Sequence, residues 1–307
     1  MTYRVLCLDG GGSKGVYTLG VLHELEKMLG GSPLCERFDA VYGTSTGSII
    51  AAAIAVGLSV EHVLKLYLKH IPGIMGHLAA PTRDLALRKA LEGAFGDATF
   101  DGLSGRCRLG IVATDVENKR PLVFKSHEDM AHGMKASFVP GFGARLADAV
   151  GASCSAYPLF SQKRLDLGVH GRRLLMDGGF SANNPSMIAH LDAANSGVTG
   201  QDLSIISVGV GQYVETIPFR AVCQVWWMLP AVRLMAVQMA ASANYIASMF
   251  RLATKSMPCL RINGEFSDQG LATNLLENNP RKLERIYQSG RESFAVHEDK
   301  LRQLFEG

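Results

Sequence analysis

Long apolar runs are missing from this sequence of 307 residues, although hydrophobic residues make up 47% of it. No uninterrupted apolar stretch approaches the roughly 20 residues that a helix needs to cross a bilayer. Aromatic residues are also few, at 7%, and the remaining composition is ordinary for a globular protein. The composition therefore predicts a globular protein with a sizeable core that is not integral to a membrane.

Blocks of like charge are missing as well. The sequence has 31 Lys and Arg residues against 28 Asp and Glu residues, which gives a net charge of +3, and neither sign is concentrated in a run. Proteins that bind nucleic acids need a basic patch to neutralise the phosphates. We therefore expect no nucleic acid polymer as a partner.

Cysteine patterns typical of disulfide frameworks or metal sites are absent too. The six cysteines are dispersed and never spaced as C-x-x-C, namely Cys7, Cys35, Cys107, Cys154, Cys223 and Cys259. They are interpreted as reduced thiols. The first predicted strand, residues 4–8, begins almost at the first residue, which leaves no room for a signal peptide. A cytoplasmic location is therefore expected.

The stretch around Ser45 predicts a nucleophile elbow. Residues 40–42 are apolar and β-prone, Ser45 lies between Gly43 and Gly47, and the Ala-rich residues 49–56 favour a helix. In a G-x-S-x-G pattern the serine occupies a strained turn between strand and helix, where the glycines avoid side-chain collisions. Its hydroxyl is then exposed near a helix N-terminus, which stabilises negative charge. In the plainer alternative, Ser45 only caps the helix.

A second glycine-rich turn follows the first predicted strand. Gly10, Gly11 and Gly12 lie there, and residues 16–29 have helical apolar spacing. The loop formally matches the G-x-G-x-x-G pattern of dinucleotide-binding oxidoreductases. However, the second strand leads into the Ser45 turn instead of ending at an acidic residue that would bind a ribose. Successive glycine amides can instead converge on an oxyanion, and loops at the carboxyl ends of parallel strands share one crevice.

An aspartate ends a third predicted strand. Residues 173–176 lead into Asp177, which is followed by two glycines, although Asp-Gly-Gly is also common in ordinary turns. A serine hydrolase needs a nucleophile, a base and donors for the oxyanion. The base is usually histidine, but neither His170 nor His190 has a comparable loop. A buried carboxylate with a raised pKa can act instead, so the three loops predict a Ser45/Asp177 dyad.

Other elements are predicted from caps and apolar runs. Ser59 is predicted to cap a helix at 60–70 and Thr82 a helix at 83–94. Asn184 is predicted to cap a helix at 186–194, with Pro185 in the first helical position. Neither Ser153 nor Ser155 has flanking glycines in the spacing of a nucleophile elbow, and both are interpreted as small residues that pack near a site. Further strands are predicted at 106–113, 121–124 and 203–209, and a further helix at 145–153.

These loops, together with two further motifs, resemble the patatin-like phospholipases. The resemblance covers about residues 4–210 in the order of the family. It rests on D-G-G-G at 9–12 with K-G at 14–15, G-T-S-T-G at 43–47, A-S-x-x-A-x-P at 152–158, D-G-G at 177–179 and A-N-N-P at 182–185. It implies an α/β protein with a three-layer α/β/α fold and a mainly parallel central sheet.

The resemblance also implies an activity. Ser45 would be the nucleophile, Asp177 the base, and Gly10, Gly11 and Gly12 the oxyanion hole for hydrolysis of acyl esters in glycerophospholipids, without a metal or other cofactor. Residues 14–22 further resemble bacterial members that act as effectors in cyclic-oligonucleotide antiphage signalling and degrade the host membrane.

This further resemblance implies membrane phospholipid as substrate, a cyclic oligonucleotide as activator, and peripheral contact of a cytoplasmic protein with the membrane when active. A homo-oligomer stays open. So do two other functions, a constitutive housekeeping acyl hydrolase and a catalytically silent module that binds lipid or nucleotide.

No repeat or low-complexity linker divides the chain, so one domain of residues 1–307 is predicted. Its catalytic motifs lie within 4–210, and a mainly helical part spans 215–307. Within that part, residues 219–253 are apolar, rich in Met and contain both Trp residues. A pair of helices, broken near Pro230 and packed in the core or in a dimer, is the favoured interpretation, and contact with lipid is the alternative. Residues 281–305 are predicted as an amphipathic helix over the core.

Overall fold

The computed structural model describes residues 2–103, 107–131, 137–214, 229–253 and 257–306, and within these ranges an eight-stranded sheet lies at the centre of the chain. Its strands are β1 (Tyr3–Leu8), β2 (Ala40–Thr44), β3 (Arg108–Asp115), β4 (Arg120–Lys125), β5 (Lys163–Asp166), β6 (Arg172–Asp177), β7 (Leu203–Val208) and β9 (Cys259–Ile262). A separate short pair consists of β8 (Gln212–Tyr213) and β10 (Glu265–Phe266).

The strand order in the large sheet is β5-β6-β3-β2-β1-β7-β9, with β4 paired to β3. The run from β3 through β2, β1 and β7 to β9 is parallel, whereas β4, β5 and β6 join it through antiparallel pairs. The mainly parallel sheet predicted from the sequence is therefore confirmed.

Helices cover both faces of this sheet. They are α1 (Gly15–Met28), α2 (Thr46–Ala55), α3 (Val60–Gly76), α4 (Ala80–Phe95), α5 (Leu146–Ser153), α6 (Gly179–Ala182), α7 (Ser186–Asn195), α8 (Leu229–Ala253) and α9 (Pro280–Glu306). Successive side chains of a strand point to opposite faces. Leu6 and Leu8 of β1 accordingly pack in one cluster with α1 and α2, while Val5 and Cys7 pack in another with α7. The three-layer α/β/α arrangement is confirmed.

β3 extends beyond its neighbour β2, and this overhang determines where two strands end. Thr44, the last residue of β2, pairs with Val112, and Asp177, the last residue of the oppositely directed β6, pairs with Ala113. β4 pairs along residues 110–115. A strand has only two edges, and β4 occupies one edge of β3. β2 and β6 therefore pair with the opposite edge, one after the other. Their carboxyl ends therefore meet at one point on the edge of β3.

Two predicted helix boundaries differ from the structure. Ser59 caps α3 as predicted, but the helix continues through Pro72, because residues beyond the proline such as Ile74 are buried and their packing offsets the lost hydrogen bond. α4 begins three residues earlier than predicted, and Thr82 lies in its first turn, where its hydroxyl donates to the Ala79 carbonyl. The predicted cap at Thr82 is therefore wrong.

Helix α7 begins one residue later than predicted. Pro185 occupies the cap position rather than the first helical position, and the side chain of Asn184 accepts a hydrogen bond from the Ser186 amide at 2.9 Å. Asn184 therefore still satisfies one of the free amides at the helix start, from one residue further upstream than predicted.

The C-terminal part packs back onto the N-terminal half. The predicted helix at 281–305 is confirmed as α9, which lies against α1 where Gly20 and Gly290 face each other. Residues 229–253 form one helix, α8, as expected, while 219–228 lie outside the described residues. None of the helices in the described ranges combines the length and the hydropathy needed to span a bilayer.

Candidate active site

Ser45 lies at the tip of the turn between β2 and α2, in the predicted strand-turn-helix arrangement. Its φ of 52° and ψ of −126° are rare for a residue other than glycine and store strain. The flanking glycines make this turn possible. A Cβ on Gly43 would lie 2.3 Å from the Gly47 carbonyl oxygen, and one on Gly47 would lie 2.3 Å from the Leu8 carbonyl oxygen.

The Ser45 side chain makes no capping hydrogen bond to α2. Its Oγ instead donates to Asp177 Oδ2 at 2.5 Å, so the alternative in which Ser45 only caps the helix is wrong. The other carboxylate oxygen, Oδ1, accepts from the Gly179 amide at 2.7 Å. These two contacts fix the rotation of the carboxylate and direct Oδ2 at the serine.

Asp177 is completely buried. Burial raises the pKa of Asp177 to about 7, although the hydrogen bonds from Ser45 and Gly179 act in the opposite direction. The carboxylate is therefore a stronger base than an ordinary aspartate, yet a substantial fraction of it is ionised at neutral pH. This is the property that was predicted for a carboxylate acting in place of histidine.

Ser153 and Ser155 join the two loops that carry the dyad. The Ser153 hydroxyl accepts from the Ser45 amide at 2.8 Å and donates to the Val112 carbonyl at 2.5 Å. The Ser155 carbonyl accepts from the Asp177 amide at 3.0 Å. The sequence placed both serines near a site but did not reveal these contacts, which depend on the register of β3.

The glycine loop is anchored from the loop that follows Asp177. The Gly10 amide donates to the Asn183 carbonyl, and the Asn183 side-chain amide donates back to the Gly10 carbonyl, both at 3.2 Å. The Gly10 amide, which was predicted to take part in an oxyanion hole with Gly11 and Gly12, is therefore already engaged in this structure. In the described part of the chain, the Gly11 and Gly12 amides have no hydrogen-bond partner. The Gly11 carbonyl accepts from the Lys14 amide.

Carbonyl and amide groups of a trans peptide point in opposite directions. The Gly10 carbonyl shares a peptide group with the Gly11 amide, and the Gly11 carbonyl shares one with the Gly12 amide. Because Asn183 and Lys14 bind these two carbonyls, the two amides point away from Asn183 and Lys14. Asn183 is a site residue that the sequence analysis missed. Its only signal was its place in the A-N-N-P motif.

Residues from the C-terminal part hold both ends of the glycine loop. Asp9 is buried and forms an ion pair with Arg261 of β9, whose guanidinium also donates to the Ser207 hydroxyl. At the other end, the amide and hydroxyl of Ser13 both donate to the Leu275 carbonyl at 3.1 Å. No sequence motif indicated either contact.

A narrow cavity contains the dyad together with Gly11 and Gly12. Most of its remaining wall is apolar, which suits a hydrocarbon chain; this wall includes Ile71, Leu87, Phe160 and Met239. His170 and His190 do not line it and contact Phe142 and Phe250 instead. Among the described residues, no group of three or more His, Cys, Asp and Glu side chains could hold a metal ion.

Comparison with known proteins gives consistent matches. The family model described as patatin-like phospholipase matches residues 6–190. The chain is 44% identical over 305 residues to a cUMP-AMP-activated phospholipase of Escherichia coli, covering 98% of this chain and 93% of that protein. It is 28% identical over 257 residues to a cGAMP-activated phospholipase of Escherichia coli strain TW11681, covering 73% and 69%.

Solved structures with a similar fold share little sequence with this chain. Human GIVD cytosolic phospholipase A2 superposes with a TM-score of 0.56 at 12% identity and covers 99% of this chain and 60% of its own. VipD from Legionella pneumophila gives a TM-score of 0.50 at 13% identity, with coverages of 98% and 67%. At such identities the likeness shows the fold alone.

Proposed function

Because the chain belongs to the patatin-like phospholipases, a family of hydrolases, we propose that it cleaves acyl esters of membrane glycerophospholipids with Ser45 as nucleophile and Asp177 as base. The observation that carries this proposal is the 2.5 Å hydrogen bond between Ser45 Oγ and Asp177 Oδ2 beside an apolar cavity. The strained turn at Ser45 and the two unengaged glycine amides support it.

In the first half of the reaction, Ser45 Oγ attacks the ester carbonyl carbon while Asp177 Oδ2 accepts the hydroxyl proton. The carbonyl oxygen becomes an oxyanion, which the amides of Gly11 and Gly12 stabilise. When this intermediate collapses, the bond to the glycerol oxygen breaks. The protonated Asp177 then donates its proton to that oxygen, and the fatty acyl group remains on Ser45.

In the second half, water attacks the acyl carbon and gives a proton to Asp177. A second oxyanion forms in the same position and collapses with loss of the Ser45 oxygen. Asp177 returns the proton to Ser45 Oγ, and the fatty acid is released. Because Asp177 acts as base and then as acid in each half, a pKa of about 7 suits both roles at neutral pH.

A cyclic dinucleotide is the proposed activator. Support comes from relatives that carry such an activator in their names, in particular the cUMP-AMP-activated phospholipase that matches 98% of this chain. We propose cUMP-AMP as the first nucleotide to test and an antiphage role in the cytoplasm, with peripheral contact at the membrane when the enzyme is active.

The test compares wild type and Ser45→Ala on phospholipid vesicles, with cUMP-AMP, with cGAMP and without nucleotide, and measures released fatty acid. We expect release by the wild type only, and only with a nucleotide. Equal release without nucleotide would contradict the activator and indicate a constitutive hydrolase. Full release by Ser45→Ala would contradict the dyad. If nothing is released, failure to label Ser45 with a fluorophosphonate would indicate a catalytically silent module.

A further inference from the structure

Helix α8 exposes an apolar face to the outside of the protein. Five of its large apolar side chains are between 43% and 69% exposed, namely Leu234, Val237, Tyr245, Met249 and Leu252. At 100° of rotation per residue, they fall within an arc of about 120°. They therefore lie on one side of the helix, in an arc that also contains the exposed polar residues Gln238 and Ser248, and we call these five apolar side chains the outer stripe.

The opposite side of α8 is apolar as well. Met235, Met239 and Phe250 are buried there, and Met239 lines the cavity that contains Ser45. A helix that is apolar on opposite faces normally has a partner on each of them. The body of the protein covers the inner face, whereas the outer stripe is exposed.

Charge on and around α8 indicates which partner fits. Arg233 and Arg251 are exposed, whereas α8 contains no acidic residue. The two arginines are 18 residues apart, about five helical turns, and so lie along the same border of the outer stripe.

A basic border beside an apolar stripe is the pattern of helices that lie in the interface of an anionic bilayer. A second copy of this chain fits less well. In a symmetric contact between two α8 helices, the acid-free surfaces would face each other, and like charges would repel.

We propose that the outer stripe of α8 docks the protein on a bilayer containing anionic phospholipid. This inference rests on the proposed function, because it adds a membrane surface to the same site. The inner face of α8 contributes Met239 to the cavity wall, and a helix with its side chains is about 10 Å thick. Docking therefore brings the cavity to within about one helix diameter of its substrate.

The experiment uses the full chain and two double variants. Leu234→Asn with Leu252→Asn removes apolar contact, and Arg233→Glu with Arg251→Glu reverses the charge. Matched controls on α9 are Val296→Asn, at a side chain that is 80% exposed, and Arg302→Glu. Binding is measured by vesicle flotation in a Ser45→Ala background, so that lipid is not consumed. The vesicles contain phosphatidylcholine, alone or mixed with phosphatidylglycerol, with and without cUMP-AMP.

We expect stronger binding to the mixed vesicles. Removing two leucines that insert among lipids should weaken it about 100-fold, and reversing both arginines should weaken it about 10- to 100-fold in low salt. The α9 controls should bind as the parent does. Undiminished binding by the leucine variant, or equal loss in a control, would overturn the proposal. So would a leucine variant that binds fully but changes from dimer to monomer, because a second copy would then cover the stripe.

A separate readout distinguishes this proposal from the proposed function. Hydrolysis of a monomeric short-chain ester depends on the dyad but needs no docking, so the leucine variant with Ser45 intact should retain it while losing vesicle hydrolysis. If the wild type hydrolyses neither substrate, the proposed function fails, whereas the flotation results still decide whether α8 docks.

Discussion

Asp177 combines two properties at the scale of a single residue: complete burial and a hydrogen bond to a serine hydroxyl. Burial disfavours the charged form, while the hydrogen bonds favour it, and the balance leaves the pKa near 7. The sequence could predict the identity of this residue because strand, aspartate and two glycines follow one another. It could not predict the pKa, which depends on the tertiary surroundings of the carboxylate.

The activity should therefore depend on pH in a specific way. Below pH 7 Asp177 is mostly protonated and cannot accept the Ser45 proton, so kcat/KM should rise with pH through a midpoint near 7. An aspartate with an unshifted pKa would place this midpoint near 3.8. The measurement is the initial rate on an uncharged monomeric ester across this range. A profile that is flat between about pH 5 and 8 would argue against Asp177 as the base.

Asn183 should affect the chemical step more than binding. Asn183→Asp keeps the shape of the side chain but removes the donor that holds the Gly10 carbonyl, so the neighbouring Gly11 amide loses its orientation. Since loss of an oxyanion donor costs about 100- to 1000-fold in kcat, partial misorientation should cost about 10- to 100-fold, with little change in KM.

The matched control is Asn195→Asp, because the Asn195 side chain donates to the Ala131 carbonyl on the surface. Its steady-state rates should equal those of the wild type. A raised KM with unchanged kcat in Asn183→Asp would show that Asn183 serves substrate binding instead.

At the scale of elements, the sequence predicted most of the strands and helices that carry the site. Continuous apolar runs predicted β1, β2 and β7, and helical spacing predicted α1 and α9. The edge strands β5 and β9 were missed, since Lys163–Asp166 is polar and Cys259–Ile262 is short. The direction of β6 could not be predicted either, because an isolated strand has the same side-chain pattern in parallel and antiparallel pairs.

The contact between α1 and α9 depends on two glycines. A Cβ on Gly290 would lie 2.1 Å from the Tyr17 carbonyl oxygen, and one on Gly20 would lie 2.2 Å from the Tyr287 carbonyl oxygen. Gly290→Ala should therefore force the helices apart and lower the free energy of unfolding by about 1–3 kcal/mol. Thermal unfolding of the variant measures this loss.

A glycine elsewhere in a helix gives the control. A Cβ on Gly93 of α4 meets nothing within 4 Å, so Gly93→Ala should stabilise the protein by about 0.5–1 kcal/mol through its better helix propensity. Equal stability changes in the two variants would show that α1 and α9 do not pack as closely as described.

At the scale of the whole molecule, the site is assembled from distant parts of the chain. The serine and aspartate of the dyad are 132 positions apart in sequence. Their motifs could be recognised separately, and the resemblance to a family placed them together. The contacts from Arg261 and Leu275 could not be predicted, because they belong to a region in which no motif was matched.

The ion pair between the buried Asp9 and the half-buried Arg261 should contribute strongly to stability. Arg261→Gln leaves the Asp9 carboxylate buried without its partner, which should cost about 3–5 kcal/mol in the free energy of unfolding measured with denaturant. The control Arg285→Gln breaks an exposed pair with Asp268 and should cost at most about 1 kcal/mol. Asp9→Asn combined with Arg261→Gln should recover part of the loss, and no recovery would argue against the pair as the cause.

The two anchors of the glycine loop also bear on how the protein is synthesised. The loop precedes Ser45 and Asp177 in the chain, whereas Arg261 and Leu275 follow them, so the ribosome adds both anchors after the serine and the aspartate. A chain that ends between residues 177 and 261 contains the serine and the aspartate but lacks the groups that hold the loop. The proposed active site would thus acquire a fixed glycine loop only after the chain has been made as far as residue 275.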